Sequence, residues 1–221
     1  MFRLFKPHSI LFLAVVSVFT YACKKELTGT GEITFTINEQ YTQQPVANAS
    51  VKLSATQLDG GSFNSNFVIL QEKQSSVNGS VTFIEDISNL VELKGQFAKS
   101  GFFPTTLTFD KDDFDSKSKY SGRATMLEKA WVSVHLKSED QSTNKNELAF
   151  SLKTGNPSCG CCSSSTRFLN EFSVDSSWVC AIPANRYLRY EYAITADGGK
   201  VYYADSVYIT PGDTAGISLT F

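Results

Sequence analysis

The sequence predicts an all-β protein, two β-sandwich domains in tandem behind an export signal. Three observations carry this reading. Apolar and polar residues alternate with a period of two along run after run. Clusters of Gly, Pro, Asn and Asp punctuate those runs at short intervals, the spacing of sandwich strands. No stretch of helical period with caps competes with them. The chain has 221 residues, which leaves room after the signal for two domains of roughly 95 residues, each large enough for one core.

Ile33, Phe35 and Ile37 alternate with Glu32, Thr34, Thr36 and Asn38, which makes a half-buried strand. After the turn QQPVAN, the residues Ala47, Ala49, Val51 and Leu53 repeat the pattern. Asn78-Gly79 sits between short apolar runs and predicts a hairpin, because both residues tolerate positive φ. Farther on, Val132, Val134 and Leu136 share one face of "AWVSVHLKS", and "NELAFSL" is expected to pair with it. Trp178, Cys180 and Ile182 share another strand face. A long hairpin follows around Asp197-Gly198-Gly199, and a turn at Pro211-Gly212 leads to a last strand with Ile217, Leu219 and Phe221 inward. The halves join between Tyr120 and Lys129, and the apolar face of "AWVSVHL" suits either core.

The amino terminus reads as an address. Arg3 and Lys6 precede the apolar run ILFLAVVSVF. A basic stretch before a short apolar one is a secretory signal, and this run falls short of the about 20 residues that a spanning helix needs. Ordinary cleavage before Cys23 leaves a free exported thiol. With Ala22 and Cys23 at the junction, the stretch also resembles a bacterial lipoprotein signal of the relaxed kind common in the Bacteroidota. That resemblance implies a signal over 1–22, acylation of Cys23 and a tether over 23–30. Lys24 stands where an aspartate retains lipoproteins in the inner membrane, so an outer-membrane, lipid-anchored location is implied. Parity supports acylation: Cys159, Cys161, Cys162 and Cys180 form an even set that can pair on export, and Cys23 is left over. Several acyl chains, at about 0.8 kcal/mol per buried methylene, hold a protein firmly to a bilayer.

The first half carries a second resemblance. "GEITFTINEQYTQQPVANASVKL", then "NGSVTF", then "FAKSGFFPTTLTF" with its Lys99-Ser100-Gly101-Phe102 turn is similar to the carboxypeptidase regulatory-like, or transthyretin-like, domain. The resemblance spans 31–127, with a longer insertion at "TQLDGGSFNSNFVILQEKQSS". It implies a seven-stranded Greek-key sandwich of Ig-like type, no catalytic residues, and a role as spacer or docking module. Residues 128–221 are read as a second sandwich with no family assigned.

Four cysteines mark that second half. Three crowd into Cys159–Cys162, unlike the separated knuckles of a zinc site. Export favours oxidation, so two structural disulfides are expected and no metal. Three pairings are open. A bridge between adjacent cysteines is strained, which disfavours Cys161–Cys162, and Cys159 can meet Cys162 across a tight turn at Gly160, so the expected pairs are Cys159–Cys162 and Cys161–Cys180.

Charge and chemistry narrow the function classes. The 20 basic residues lose Arg3 and Lys6 with the signal, against 22 acidic ones, a net charge of about −4. No basic cluster follows Lys25, which argues against nucleic acid. His135 is the one histidine after the signal and lies opposite the apolar face of its strand. No G-x-S-x-G elbow accompanies it. Asp110, Asp112, Asp113 and Asp115 lack the EF-hand spacing and read as a solvated loop. No cofactor is implied. Tyr187, Tyr202 and Tyr208 face outward on the last hairpin, a row suited to stacking on sugar rings or anchoring a protein, or to packing within the sheet. The expected function is therefore a non-enzymatic envelope lipoprotein that docks a protein or glycan. A structural spacer or assembly subunit is the second reading and an envelope enzyme the third.

Overall fold

The computed structural model describes residues 28–138, 146–153, 162–170, 173–196 and 199–221. The signal, Cys23, Cys159, Cys161 and Asp197-Gly198 lie outside them. Almost everything described is β-structure, in four sheets.

Seven strands form the first pair of sheets: β1 (Thr30–Glu39), β2 (Ser50–Asp59), β3 (Ser62–Gln74), β4 (Ser80–Asp86), β5 (Leu90–Ala98), β6 (Thr105–Asp110) and β7 (Lys119–Met126). Their orders are β4-β1-β7 and β3-β2-β5-β6. β1 is the middle strand of its sheet, antiparallel to β4 and parallel to β7. Its alternation turns Ile33, Phe35 and Ile37 inward, all fully buried. Val51, Leu53 and Ala55 of β2 and Leu93 and Phe97 of β5 meet them from the facing sheet. Phe35 is the hub, with the Phe97 and Phe109 rings edge-on at 5.2 and 5.8 Å. Aromatic pairs in this geometry contribute about 1 kcal/mol each beyond their burial.

The second pair of sheets uses β8 (Lys129–Lys137), β9 (Glu147–Leu152), β10 (Arg167–Leu169), β11 (Asp175–Pro183), β12 (Arg186–Ala196), β13 (Gly199–Ile209) and β14 (Thr214–Thr220). The orders are β11-β8-β14 and β10-β9-β12-β13. Val132, Val134 and Leu136 are fully buried and pack with Leu148, Phe150 and Leu152 of β9 across a second hydrophobic cluster. The strand "AWVSVHL" therefore packs into the second cluster. Main-chain contacts cross the junction: Lys129 N–H donates to the Gly101 carbonyl at 2.7 Å, and Phe102 and Glu128 form an antiparallel bridge.

Three expectations need correction. Asn78-Gly79 does turn the chain, with Gly79 at φ 68°, but it joins β3 to β4, which lie in different sheets. The turn is docked under β1, where Ile37 N–H donates to the Gly79 carbonyl at 2.8 Å, so it carries the chain across the sandwich instead of folding it back on its own sheet. β9 does not pair with β8: it lies between β10 and β12. Both strands present apolar faces, and these meet through the core, not edge to edge. The third concerns the cysteines. Cys162 is bonded to Cys180, with Cα atoms 5.9 Å apart, so neither expected pair forms as written. The cause is inward packing: Cys162 is fully buried and Cys180 faces the core from β11, which brings their sulfurs together. The long insertion becomes the β2–β3 hairpin, turned by Gly60 and Gly61 at positive φ.

A candidate binding trough on the outer sheet face

The four-stranded sheet of the second half has an outer face that is not uniformly flat. One row of residues runs straight across it in register: Phe168 of β10 lies opposite Ala149 of β9, Ala149 opposite Ala193 of β12, and Ala193 opposite Tyr202 of β13. Two aromatics thus stand at the ends of a row whose middle is two alanines. Phe168 and Tyr202 are each 73% exposed, while Ala193 between them is only 5% exposed and neighbouring Ser151 likewise 5%. Small residues on an outward face become buried only where larger neighbours wall them in. The result is a trough of about 410 Å³ with a small-residue floor.

Local sequence sets each wall. On β10, Arg167 turns inward and its guanidinium lies 4.1 Å from the Trp178 ring centroid, which sends the next residue, Phe168, outward. On β13, Tyr203 stacks on Tyr192 at 4.7 Å, which sends Tyr202 outward. Lys153 and Glu191 close one end as an ion pair at 2.9 Å. Lys200 stands at the other end, its ammonium 5.1 Å from the Tyr202 centroid. Main-chain groups of the floor are used within the sheet, since β9 and β12 are each paired on both sides.

The outward tyrosine row is divided by this arrangement. Tyr187 and Tyr208 face each other across β12 and β13 and pack edge to face at 5.2 Å. Tyr202 lies six residues from Tyr208 along β13 and joins Phe168 instead. Phe168 was not among the expected residues. Its only signal is one aromatic in "TRFLN", a run too short to show alternation.

The remaining chemical groups are dispersed. His135 Nε2 lies 2.8 Å from Asp175 Oδ1 on the open face of β8 and β11. Ser177 and Ser218 flank His135 in register, yet among the described residues its ring hydrogen-bonds Asp175 alone. In the acidic loop, Asp115 Oδ1 accepts the N–H groups of Lys117 and Lys119, both at 2.8 Å. The Lys119 N–H bond is the chief reason that its carboxyl lies below the usual carboxylate range. Asp113 accepts from Asp110 N–H at 2.8 Å. These carboxylates shape their own turn. Among the described residues no three His, Cys, Asp or Glu side chains cluster as metal ligands do.

No family model and no curated protein matches the chain. Among solved structures it is similar to the Bacillus anthracis TIE protein at 11% identity and a TM-score of 0.37, covering 87% of this chain and 34% of that one. It is also similar to GBS52, the minor pilin of Streptococcus agalactiae, at 9% identity and a TM-score of 0.36, covering 86% of this chain and 94% of that one. The shaft pilin SpaA from Lactobacillus rhamnosus GG follows at 10% and 0.32, covering 88% and 98%. The chain thus spans about a third of the TIE protein's length. At these scores nothing is carried over from those proteins to this one.

Proposed function

We propose that this chain is a non-enzymatic, lipid-anchored protein of the outer membrane that docks a protein or glycan on the outer face of its carboxy-terminal half. The observation that carries the docking reading is the trough itself, where two widely exposed aromatics wall a floor of small residues, with Ala193 and Ser151 buried and Ala149 half-buried. Aromatic side chains beside a shaped floor are the kind that anchor a partner, through large contact area at low conformational cost. The anchor reading rests on the signal and on the odd cysteine, Cys23. The fold reading that accompanies it is two Ig-like sandwiches in tandem, residues 31–127 of carboxypeptidase regulatory-like type and 128–221 following. This arrangement places the trough at the end of the chain farther from the anchor. A structural spacer is the second reading, favoured by the main-chain bonds that tie the halves together.

The test is capture. The full-length chain, immobilised in detergent, is exposed to envelope extract and to a glycan array. Docking predicts saturable binding that Phe168→Ala and Tyr202→Ala each weaken at least tenfold. A chain that binds nothing saturably, or whose binding ignores both substitutions, is a spacer or docks elsewhere.

A further inference from the structure

We infer that the trough takes an acidic glycan, a chain of pyranose rings bearing carboxylates, with the walls stacking on sugar rings and Lys200 pairing with a carboxylate. This rests on the docking reading above and names the occupant.

The sheet geometry decides between a glycan and an extended peptide. A peptide adds to a sheet by main-chain hydrogen bonds at an open edge. The floor of the trough lies on a face, over β9 and β12, each already paired on both sides, so it offers a peptide no ladder between the two walls. An occupant must be held by side chains alone. A pyranose matches them: its C–H face lies against an aromatic ring, and its rim of hydroxyls meets Lys153, Glu191 and the Ser151 hydroxyl. The row from Phe168 to Tyr202 crosses three interstrand steps, which sets the wall backbones about 14 Å apart. That leaves space for a sugar ring on the two alanines, and the volume of about 410 Å³ lies within the range of small-ligand sites, about 300–1,000 Å³.

Charge selects among sugars. Lys153 and Glu191 neutralise one another. Lys200 has no acidic partner among the described residues and is held over the Tyr202 ring. The trough therefore presents one uncompensated cation beside a stacking surface, and the complementary ligand carries an anion beside an apolar ring face.

The experiment uses the full-length chain in detergent with four probes, tetramers of galacturonic acid and of mannuronic acid and their neutral galactose and mannose counterparts. At least one acidic tetramer is expected to bind saturably, ten or more times more tightly than its neutral counterpart, and to weaken with added salt. Phe168→Ala and Tyr202→Ala should each reduce that binding at least tenfold. Lys200→Gln should erase the preference for acid while leaving residual stacking. Val179→Ala, on the other sheet, should change nothing. Because all four positions are outward, unchanged melting curves establish that the variants fold. Absence of binding by both acidic tetramers overturns the inference, as does neutral binding of equal strength. If envelope protein is captured through Phe168 and Tyr202 while both acidic tetramers fail, the glycan is wrong and the docking face stands. If neither binds, both fall.

Discussion

Arg186 donates from Nη1 to the Tyr41 hydroxyl at 2.7 Å, and its guanidinium lies 5.6 Å from the centroid of the same ring. These residues are 145 apart in sequence, one at the turn after β1 and the other at the start of β12. The contact reinforces the main-chain bonds at residues 101–129. It is exposed, so each part of it is expected to contribute about 0.5–1 kcal/mol. Tyr41→Phe should remove only the hydrogen bond, and Arg186→Ala both components. A double-mutant cycle on denaturant unfolding should return a coupling in that range. A coupling near zero would mean that the Arg186–Tyr41 hydrogen bond adds nothing to the junction.

The Cys162–Cys180 bond, with a sequence separation of 18, staples a segment with little apolar matter of its own. For a loop of this size the stabilisation is about 3 kcal/mol. Replacing both cysteines by alanine should cost roughly that amount, read as a lower denaturant midpoint. Tandem mass spectrometry of the unreduced chain should place the bond at Cys162. Fragments that place it at Cys161 would restore the pairing expected from a tight turn at Gly160.

The Tyr190 hydroxyl donates to Asp205 Oδ2 at 3.0 Å. Burial first, and then Asp205, push its pKa up from 10.0 to about 12. The folded chain holds this proton more tightly than the unfolded one, so its stabilisation is intact below pH 10 and is lost as pH rises toward 12. Burial also raises the pKa of Tyr120, so absorbance titration should show late-titrating tyrosine to which Tyr190 contributes one part. That part should be lost in Tyr190→Phe and move down in Asp205→Asn. A Tyr190→Phe protein whose late absorbance is undiminished would misplace the effect.

Gly79 and Gly60 both have positive φ, 68° and 55°. A methyl group on Gly60 meets open space, whereas one on Gly79 runs into the Ile37 carbonyl and comes within 3.1 Å of Val46 N. Gly60→Ala is therefore expected to cost about 1–2 kcal/mol, from the left-handed backbone alone. Gly79→Ala should cost more, because it also pries the turn off β1. Equal costs would show that the turn moves freely. In the same core, Phe35→Ala should lose about 3–5 kcal/mol.

Acylation at Cys23 is expected to draw labelled palmitate into the wild-type chain and not into Cys23→Ser, read by fluorography and by release of the variant from membranes. Equal labelling of the two chains would remove the anchor from the proposed function.

By itself the sequence determined what depends on local rules. Period-two alternation put Ile33, Phe35 and Ile37 inside β1 and Val132, Val134 and Leu136 inside β8, because a strand's side chains alternate whatever its neighbours are. Turn chemistry located the breaks at Gly79 and Gly212, because positive φ is a property of single residues. Tertiary structure alone decided which strands are neighbours. Asn78-Gly79 looks the same whether it closes a hairpin or crosses between sheets, and "NELAFSL" offers an apolar face equally suited to pairing beside β8 or packing across from it. Partner choice depends on how the two sheets bury their faces together, a sum over residues distant in the chain. The same holds for Cys162 and Cys180, joined by inward packing, and for the trough. Its walls, Phe168 and Tyr202, come from separate strands and become neighbours only when β9 and β12 lie in register between them.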